Sequence, residues 1–363
     1  MARKPRNSDV PKGRTCATMD HHKYLAQTDE VYQSNRRRIE AFSSVARLAA
    51  RSSIIRIPVV VHVIFNDPQD NISSEQIDSQ IDALNRDFRA RNNDRTDIPD
   101  AFKPFAVDTM IEFALARRDP DGKQTMGVTR TQTSLDQFPY DQFDPSATEK
   151  LDSLIKHDEF GKSPWPRDDY LNLWVCRIEG GLLGYAAFPG EPASTDGVVV
   201  NVTAFGTTGT AQAPFNLGRT AVHEVGHFFD LLHIWGDDGN GCSRSDNVAD
   251  TPNQAGPNGG DVTKDSFPLI SCNNVPNGDM FMNYMDYVND GTMVMFTAGQ
   301  LARMNAALAG PRKSLTSSKA LDPVTTEDVL LGDAAAGFAA ARAVHPTEVG
   351  DGREKWFDGV TWV

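Results

Sequence analysis

The segment HEVGHFFDLLH, from His223 to His233, constrains this chain more than any other stretch of it. At about 100° per residue, positions four apart lie roughly 40° from each other on a helix, so His223 and His227 project from one face a turn apart. Their imidazoles can converge on one metal ion. Glu224 lies about 60° around the helix from His227, within reach of a water at the metal but badly placed to ligate it. It is the candidate general base. In a continuing helix His233 would sit about 9 Å beyond His227, whereas zinc takes nitrogen ligands at about 2.0–2.1 Å. The helix must therefore end between them. A stop near Phe229 needs a residue that tolerates left-handed backbone, and Asp230 is one of the few non-glycine types that does so at modest cost. The competing reading is a surface helix with incidental histidines. Chance gives His-Glu-x-x-His in roughly one such chain in a hundred, and a third histidine at a fixed offset lowers that about fiftyfold. The spacing points to a catalytic zinc site.

These residues resemble the long zinc motif of the metzincin clan. FNLGRTAV before the motif and IWGD after it are similar to the pappalysin branch of that clan. So is NYMDY, Asn283 to Tyr287, followed by MVMFTAGQLARM. The resemblance spans residues 52–312, is weaker over the preceding segment and absent from the end of the chain. It implies an α+β fold: a metzincin-type catalytic domain with a twisted mixed β-sheet, a backing helix, a zinc-binding active-site helix and a loop-rich lower half ending in a C-terminal helix. It implies a zinc endopeptidase in which Met285 forms an apolar floor under the metal and the Tyr287 hydroxyl swings in to stabilise the tetrahedral intermediate. Alone, Met285 would read as an ordinary core methionine and Tyr287 as a buried phenol with a backbone partner. Relatives have Gly where this chain has Asp230, an exchange the left-handed requirement accommodates. Thr292 stands where relatives carry a cysteine, so one family disulfide is expected to be missing.

Further roles follow from the resemblance. Zymogens of this kind can use a propeptide cysteine as a fourth zinc ligand, and Cys16 in RTCATM is placed for that; the alternative is a free thiol in a loose terminus. Relatives bind calcium after the third zinc histidine. In GDDGNGCSRSDNVADTP, Asp246, Asp250 and Thr251 offer oxygen ligands of the type calcium prefers, or form a solvated acidic loop. Several relatives prefer a basic residue after the scissile bond and line the pocket with an acid near the Met-turn, to which Asp290 is the nearest match. Family members are generally exported, so the protein is expected to be secreted, although MARKPRNSDVPKGRT has no apolar segment behind it.

Charge divides the chain. Residues 1–51 carry 11 Lys+Arg and 5 Asp+Glu, a net +6, against −13 for the whole, which leaves −19 on the remainder. A basic segment and an acidic body attract, which suits a propeptide lying over a cleft, and an acidic body argues against nucleic acid as substrate. Arg36, Arg37 and Arg38 would otherwise read as a solvated helix face. Maturation is expected near Arg51 and Ser52. No run of eighteen apolar residues exists, so no membrane span is expected. Cys242 and Cys272 flank a loop rich in Gly, Asn and Pro that a disulfide would staple, and Cys176 reads as a small buried residue of a strand. IRIPVVVHVIF, IEFALARR, YLNLWVCRI and GVVVNVTAF read as strands, SSEQIDSQIDALNRDFRAR as an amphipathic helix, and GGLLGYAAF as a short edge strand. In metzincins such an edge binds the substrate backbone antiparallel by strand addition. Residues 217–229 form the zinc helix, and Thr297 to Gln300 form a capping box for a helix that ends at Gly310 and Pro311.

The expected organisation is a propeptide-like segment at 1–51, a catalytic domain at 52–312 and a tail at 313–363 without a chemical reading. The expected function is a zinc-dependent endopeptidase, made as a latent monomeric zymogen and acting on proteins or peptides, with its own N-terminal segment as inhibitor. Two alternatives remain: a zinc amidase acting on non-peptide or cell-wall amides, and a catalytically silent zinc-containing binding protein. An intact Glu224 argues against the second, because a structural site has no use for that base.

Overall fold

In a computed structural model that describes residues 13–46 and 53–325, two helices come first, α1 (Thr18–Thr28) and α2 (Glu30–Val45). Asp29 separates them because its carboxylate accepts from the Val31 and Tyr32 amides and caps α2. β1 (Ile55–Phe65) follows, buried along eight of its eleven residues. It is covered on both sides. β2 (Ile111–Leu115) and β3 (Val128–Gln132) pair in succession along one edge of β1, and β4 (Leu171–Cys176) pairs along the other. Pro58 is tolerated because the β4 register begins one residue later, at Val59↔Leu171.

Beyond β4 the sheet continues through parallel β6 (Val198–Asn201) to β5 (Gly184–Ala186), which is antiparallel and forms the edge. The sheet is therefore mixed, as expected from the sequence. The edge strand read from GGLLGYAAF is three residues long. β3 was not among the strands read from sequence: VTRTQ has no buried residue and little apolar pattern. α4 (Ala147–Ile155) was likewise unread, and it packs Leu151 and Ile155 against Trp174 and Tyr185.

α3 (Ser74–Phe88) is the backing helix. Its Ile77, Ile81, Leu84 and Phe88 recur at helical spacing and join the main core with Phe113, Phe229 and Phe296. Truncating a core leucine such as Leu84 to Ala costs about 2–5 kcal/mol. Its polar residues hold the approach to the zinc motif: Gln76 Nε2 donates to the Phe205 carbonyl and Gln80 Nε2 to that of Gly218. Gly218 has φ +76°, and a Cβ there would lie 2.7 Å from that of Ala83. Only glycine lets the chain turn this close to α3 before α5 (Arg219–Phe228) begins.

Below α5 the chain is mostly loop, with only the short pair β7 (Gly259–Gly260) and β8 (Tyr287–Val288). The Cys242–Cys272 disulfide closes this region, and Cys176 is a free, buried thiol in β4. α6 (Ala298–Ala309) starts at the expected Thr297–Gln300 capping box, with both reciprocal bonds present, and ends at Gly310. Residues 313–322 then pack back on the domain, with Leu315 and Ala320 buried and the Ala320 carbonyl bonded to the Arg117 amide. The expected maturation site at Arg51 and Ser52 and the tail after Thr325 lie outside the described residues. Among the described residues no helix is long and apolar enough to cross a membrane.

Candidate active site

α5 carries His223 and His227 on one face, and the chain reverses at Asp230, whose φ is +73°. The Asp230 amide donates to the His227 carbonyl and the Leu231 amide to that of Gly226, which closes the helix end. This is the left-handed turn required by the spacing, and it returns His233 to the other two. The three Nε2 atoms lie 3.1–3.2 Å apart. They are not hydrogen-bonded to one another, because each ring uses Nδ1 as its donor. His223 Nδ1 donates to the Tyr284 carbonyl, His227 Nδ1 to the Leu231 carbonyl and His233 Nδ1 to Asp237, each at 2.7 Å. Three lone pairs therefore face one point. Ligands about 2.0–2.1 Å from a tetrahedral centre stand about 3.3 Å apart, so the spacing fits zinc. Burial, with the neighbouring histidines, pushes His223 and His227 well below the usual imidazole range and keeps them neutral, the form that ligates.

Cys16 completes this group: its Sγ and the three imidazole nitrogens all lie within 4.8 Å of one another. It arrives on an extended segment that pairs with the sheet edge in parallel. The Leu183 amide donates to the Thr15 carbonyl, the Ala17 amide to that of Gly184, and the Ala186 amide to the Thr18 hydroxyl. Burial and the nearby Glu224 push the thiol pKa up; a divalent cation reverses that bias.

Glu224 is buried and its Oε2 accepts from the Thr18 hydroxyl at 3.0 Å and from Cys16 at 3.3 Å. Burial raises its pKa to about 8, against the opposing pull of those bonds. A raised value suits a group that must take up a proton. Met285 lies beneath α5, fully buried. Tyr287 packs edge-on to His233, and its hydroxyl donates to the Cys16 carbonyl at 3.4 Å.

Asp290 is fully buried, and its Oδ2 accepts from the Leu217 amide at 2.8 Å. Its other oxygen meets Arg14 Nη2 at 2.5 Å. The same guanidinium donates to the Val288 carbonyl and the Thr220 hydroxyl, each at 3.1 Å, and lies over the Phe215 ring. Arg14 was not singled out from sequence. Neither were Asp237, which orients His233, and Trp235, which stacks on it at 4.2 Å and 9°. Asp237 had a usable signal: an acid four residues after a ligating histidine is placed to orient it.

The loop after His233 is arranged differently from a simple acidic cradle. Asp246 Oδ2 accepts from the Thr251 hydroxyl, while Asp250 caps α6 by accepting from the Thr297 hydroxyl and the Gly299 amide. Among the described residues, the Cys16–histidine group alone brings three or more His, Cys, Asp or Glu ligand atoms together.

A three-histidine centre on a helix, a buried glutamate beside it, a methionine below and an antiparallel edge strand above define a metzincin-type metalloprotease. The peptidase family described as Pregnancy-associated plasma protein-A matches residues 155–309. An extracellular metalloprotease of Pyricularia oryzae is 30% identical over 272 residues, covering 72% of this chain and 78% of that protein. One from Arthroderma gypseum is 28% identical over 306 residues, covering 82% and 85%. Among solved structures, mirolysin in complex with a compound is 47% identical with a TM-score of 0.69, covering 75% of this chain and all of that one. A mutant of Tannerella forsythia promirolysin is 42% identical with a TM-score of 0.76, covering 86% of this chain and all of that one. The chain belongs to the pappalysin family of metalloproteases, and it is a zinc metalloendopeptidase.

Proposed function

We propose that His223, His227 and His233 hold the zinc ion, that Glu224 is the general base, and that residues 1–51 are a propeptide that keeps the enzyme latent through Cys16. The observation that carries this reading is the convergence of Cys16 Sγ with three imidazole nitrogens whose partner atoms are already engaged. Residues 52–312 are then the catalytic domain and 313–363 a tail. The extended pairing of Thr15–Thr18 with the sheet edge favours a peptide substrate over a compact amide, because the same edge holds a polypeptide backbone in this structure. Relatives named as extracellular support secretion.

A bound zinc ion polarises the scissile carbonyl and activates the attacking water. Glu224 takes the proton from that water and later delivers it to the leaving amine. The Tyr287 hydroxyl, which now donates to a backbone carbonyl of the N-terminal segment, donates to the developing oxyanion instead, an interaction worth about 3 kcal/mol. Met285 supports the helix that carries the ligands.

Asp290 forms the pocket for the residue after the scissile bond, and Arg14 fills it in the latent form. A carboxylate, a carbonyl, a hydroxyl and an aromatic face around one planar group match arginine better than lysine. The test is digestion of a denatured protein mixture by the zinc-loaded enzyme with residues 1–51 removed, Glu224→Ala as control, and mass spectrometry of the new ends. Wild-type cleavage with new N-termini dominated by Arg is expected. Cleavage before Leu as often as before Arg would remove the role of Asp290, and no cleavage at all would remove the protease reading.

A further inference from the structure

The N-terminal segment places a second arginine against the cleft, at the far end of the same edge strand. Arg14 reaches Asp290 before the segment pairs with Leu183, whereas α2 lies where β5 runs on through Ala187 into Phe188. There the Arg36 guanidinium lies over the Phe188 ring at 4.9 Å, and Nη1 donates to the Pro189 carbonyl at 3.1 Å. The same nitrogen stands 2.7 Å from Asp230 Oδ1, an ion pair whose angle falls short of a hydrogen bond. Phe188 packs edge-on to His227, so this guanidinium is one ring away from the metal centre. A second acid sits on the same loop: Glu191 accepts from the Phe188 amide, and its other oxygen is 3.5 Å from His21 Nε2.

Asp230, Phe188 and Glu191 are all buried while the segment is in place. Their basic partners, Arg36 and His21, both belong to residues 1–51. Release of that segment also removes Glu40, which pairs with Arg303. Asp230 would keep Arg303 on Oδ2 only, and Glu191 would keep the Phe188 amide. What remains is an aromatic face, an outward carbonyl and two carboxylate oxygens without a cation, the set of groups that Arg36 satisfies.

The geometry points to a second basic subsite in the processed enzyme, formed by Asp230, Phe188 and the Pro189 carbonyl with Glu191 beside it, that binds an arginine side chain of the substrate. The inference rests on the reading that residues 1–51 leave. The Asp290 pocket and this one lie at opposite ends of one edge strand, so if Asp290 takes the residue after the scissile bond, this subsite takes one before it. At about 3.3 Å per residue, the four steps from Gly184 to Phe188 place that arginine roughly two to four residues before the bond. Asp230 thus has a role beyond the left-handed turn that glycine would serve equally well.

The test uses the full chain after release of its N-terminal segment, confirmed by mass. Quenched peptides share Arg after the bond and carry Arg, Ala or Glu at the second, third or fourth position before it. At one of these positions kcat/KM is expected to be roughly five- to tenfold higher for Arg than for Ala, the effect of one partly buried charge-assisted contact, and lower again for Glu. In Asp230→Asn, which retains tolerance of the left-handed turn, and in Phe188→Leu, the ratio within each variant is expected to fall towards one. A wild-type ratio of one at all three positions, with the Ala peptides still cleaved, overturns the subsite and leaves the protease intact; it would mean that Arg303 closes over both oxygens of Asp230. Failure to cleave any peptide would overturn both. Were a variant not to fold, the wild-type ratio would still decide.

Discussion

The sulfur of Met285 stands 2.5 Å from the point where a Cβ on Gly226 would lie. The glycine inside the zinc motif is therefore set by a residue 59 positions later, because any side chain there would displace the methionine under the ligands. Gly226→Ala is expected to cost about 2 kcal/mol from overpacking, a drop of roughly 4–8 °C in Tm for a domain of this size. Thermal unfolding checks it; an unchanged Tm would mean that Met285 moves freely and is no fixed floor.

Cys16 links latency to one sulfur atom. In the full chain Cys16→Ala leaves the centre without its fourth ligand and is expected to raise activity on a short peptide by about tenfold or more, since each 1.4 kcal/mol of lost inhibition is tenfold. Initial rates before any processing, followed by mass spectrometry, report this. Equal rates for the two chains would show that the Arg14 and Thr18 contacts alone suffice for inhibition.

His62 makes stability depend on pH. It is fully buried in β1, accepts from the Thr129 hydroxyl through Nδ1 at 2.7 Å and donates from Nε2 to Asn172 Oδ1 at 3.0 Å. Burial lowers its pKa to about 4. The folded state therefore resists protonation while the unfolded chain titrates at about 6.5. This contribution is complete above that value and is lost as pH falls from about 6.5 to 4, amounting to about 3 kcal/mol. Urea unfolding between pH 7 and 4 should show a steeper loss for the wild type than for His62→Gln. Parallel profiles would refute the assignment.

The Cys242–Cys272 bridge spans 30 residues with little core of their own. A loop of that length is worth about 3–4 kcal/mol in the chain-entropy account. The Cys242→Ser, Cys272→Ser double variant is expected to unfold at correspondingly lower urea concentration. A loss under about 1 kcal/mol would mean that the loop's own hydrogen bonds already order it.

Activity also depends on the metal. A chelator is expected to abolish cleavage by the processed enzyme, and zinc to restore it with new ends identical to the original ones. Cleavage that persists after chelation, with metal loss verified by elemental analysis, would be incompatible with the three-histidine centre.

Much of the site was legible because its spacing is local. The 3.6-residue period places His223 and His227 on one face, the 9 Å gap to His233 demands a break, and Asp230 is the residue that permits it; the structure has all three. The capping box at Thr297 and the alternation of the central strands were legible for the same reason, since each depends on residues within one turn or one strand. β3 was missed because VTRTQ draws its pairing from β1 rather than from its own pattern. The carboxylates of Asp246 and Asp250 could not be distinguished from calcium ligands in sequence, because their partners Thr251 and Thr297 meet them only through tertiary contacts.

The zinc motif, the break at Asp230 and the opposed charges of the two segments belong to the chain as written, because helix period, left-handed tolerance and net charge are properties of short stretches or of simple sums. That Arg14 enters the Asp290 pocket, that Arg36 lies between Asp230 and Phe188, and that Cys16 meets three histidines over 200 residues away were decided by the fold. Those contacts depend on a parallel pairing between the N-terminal segment and β5, and a pairing register between distant segments is set by the surfaces that the whole core presents.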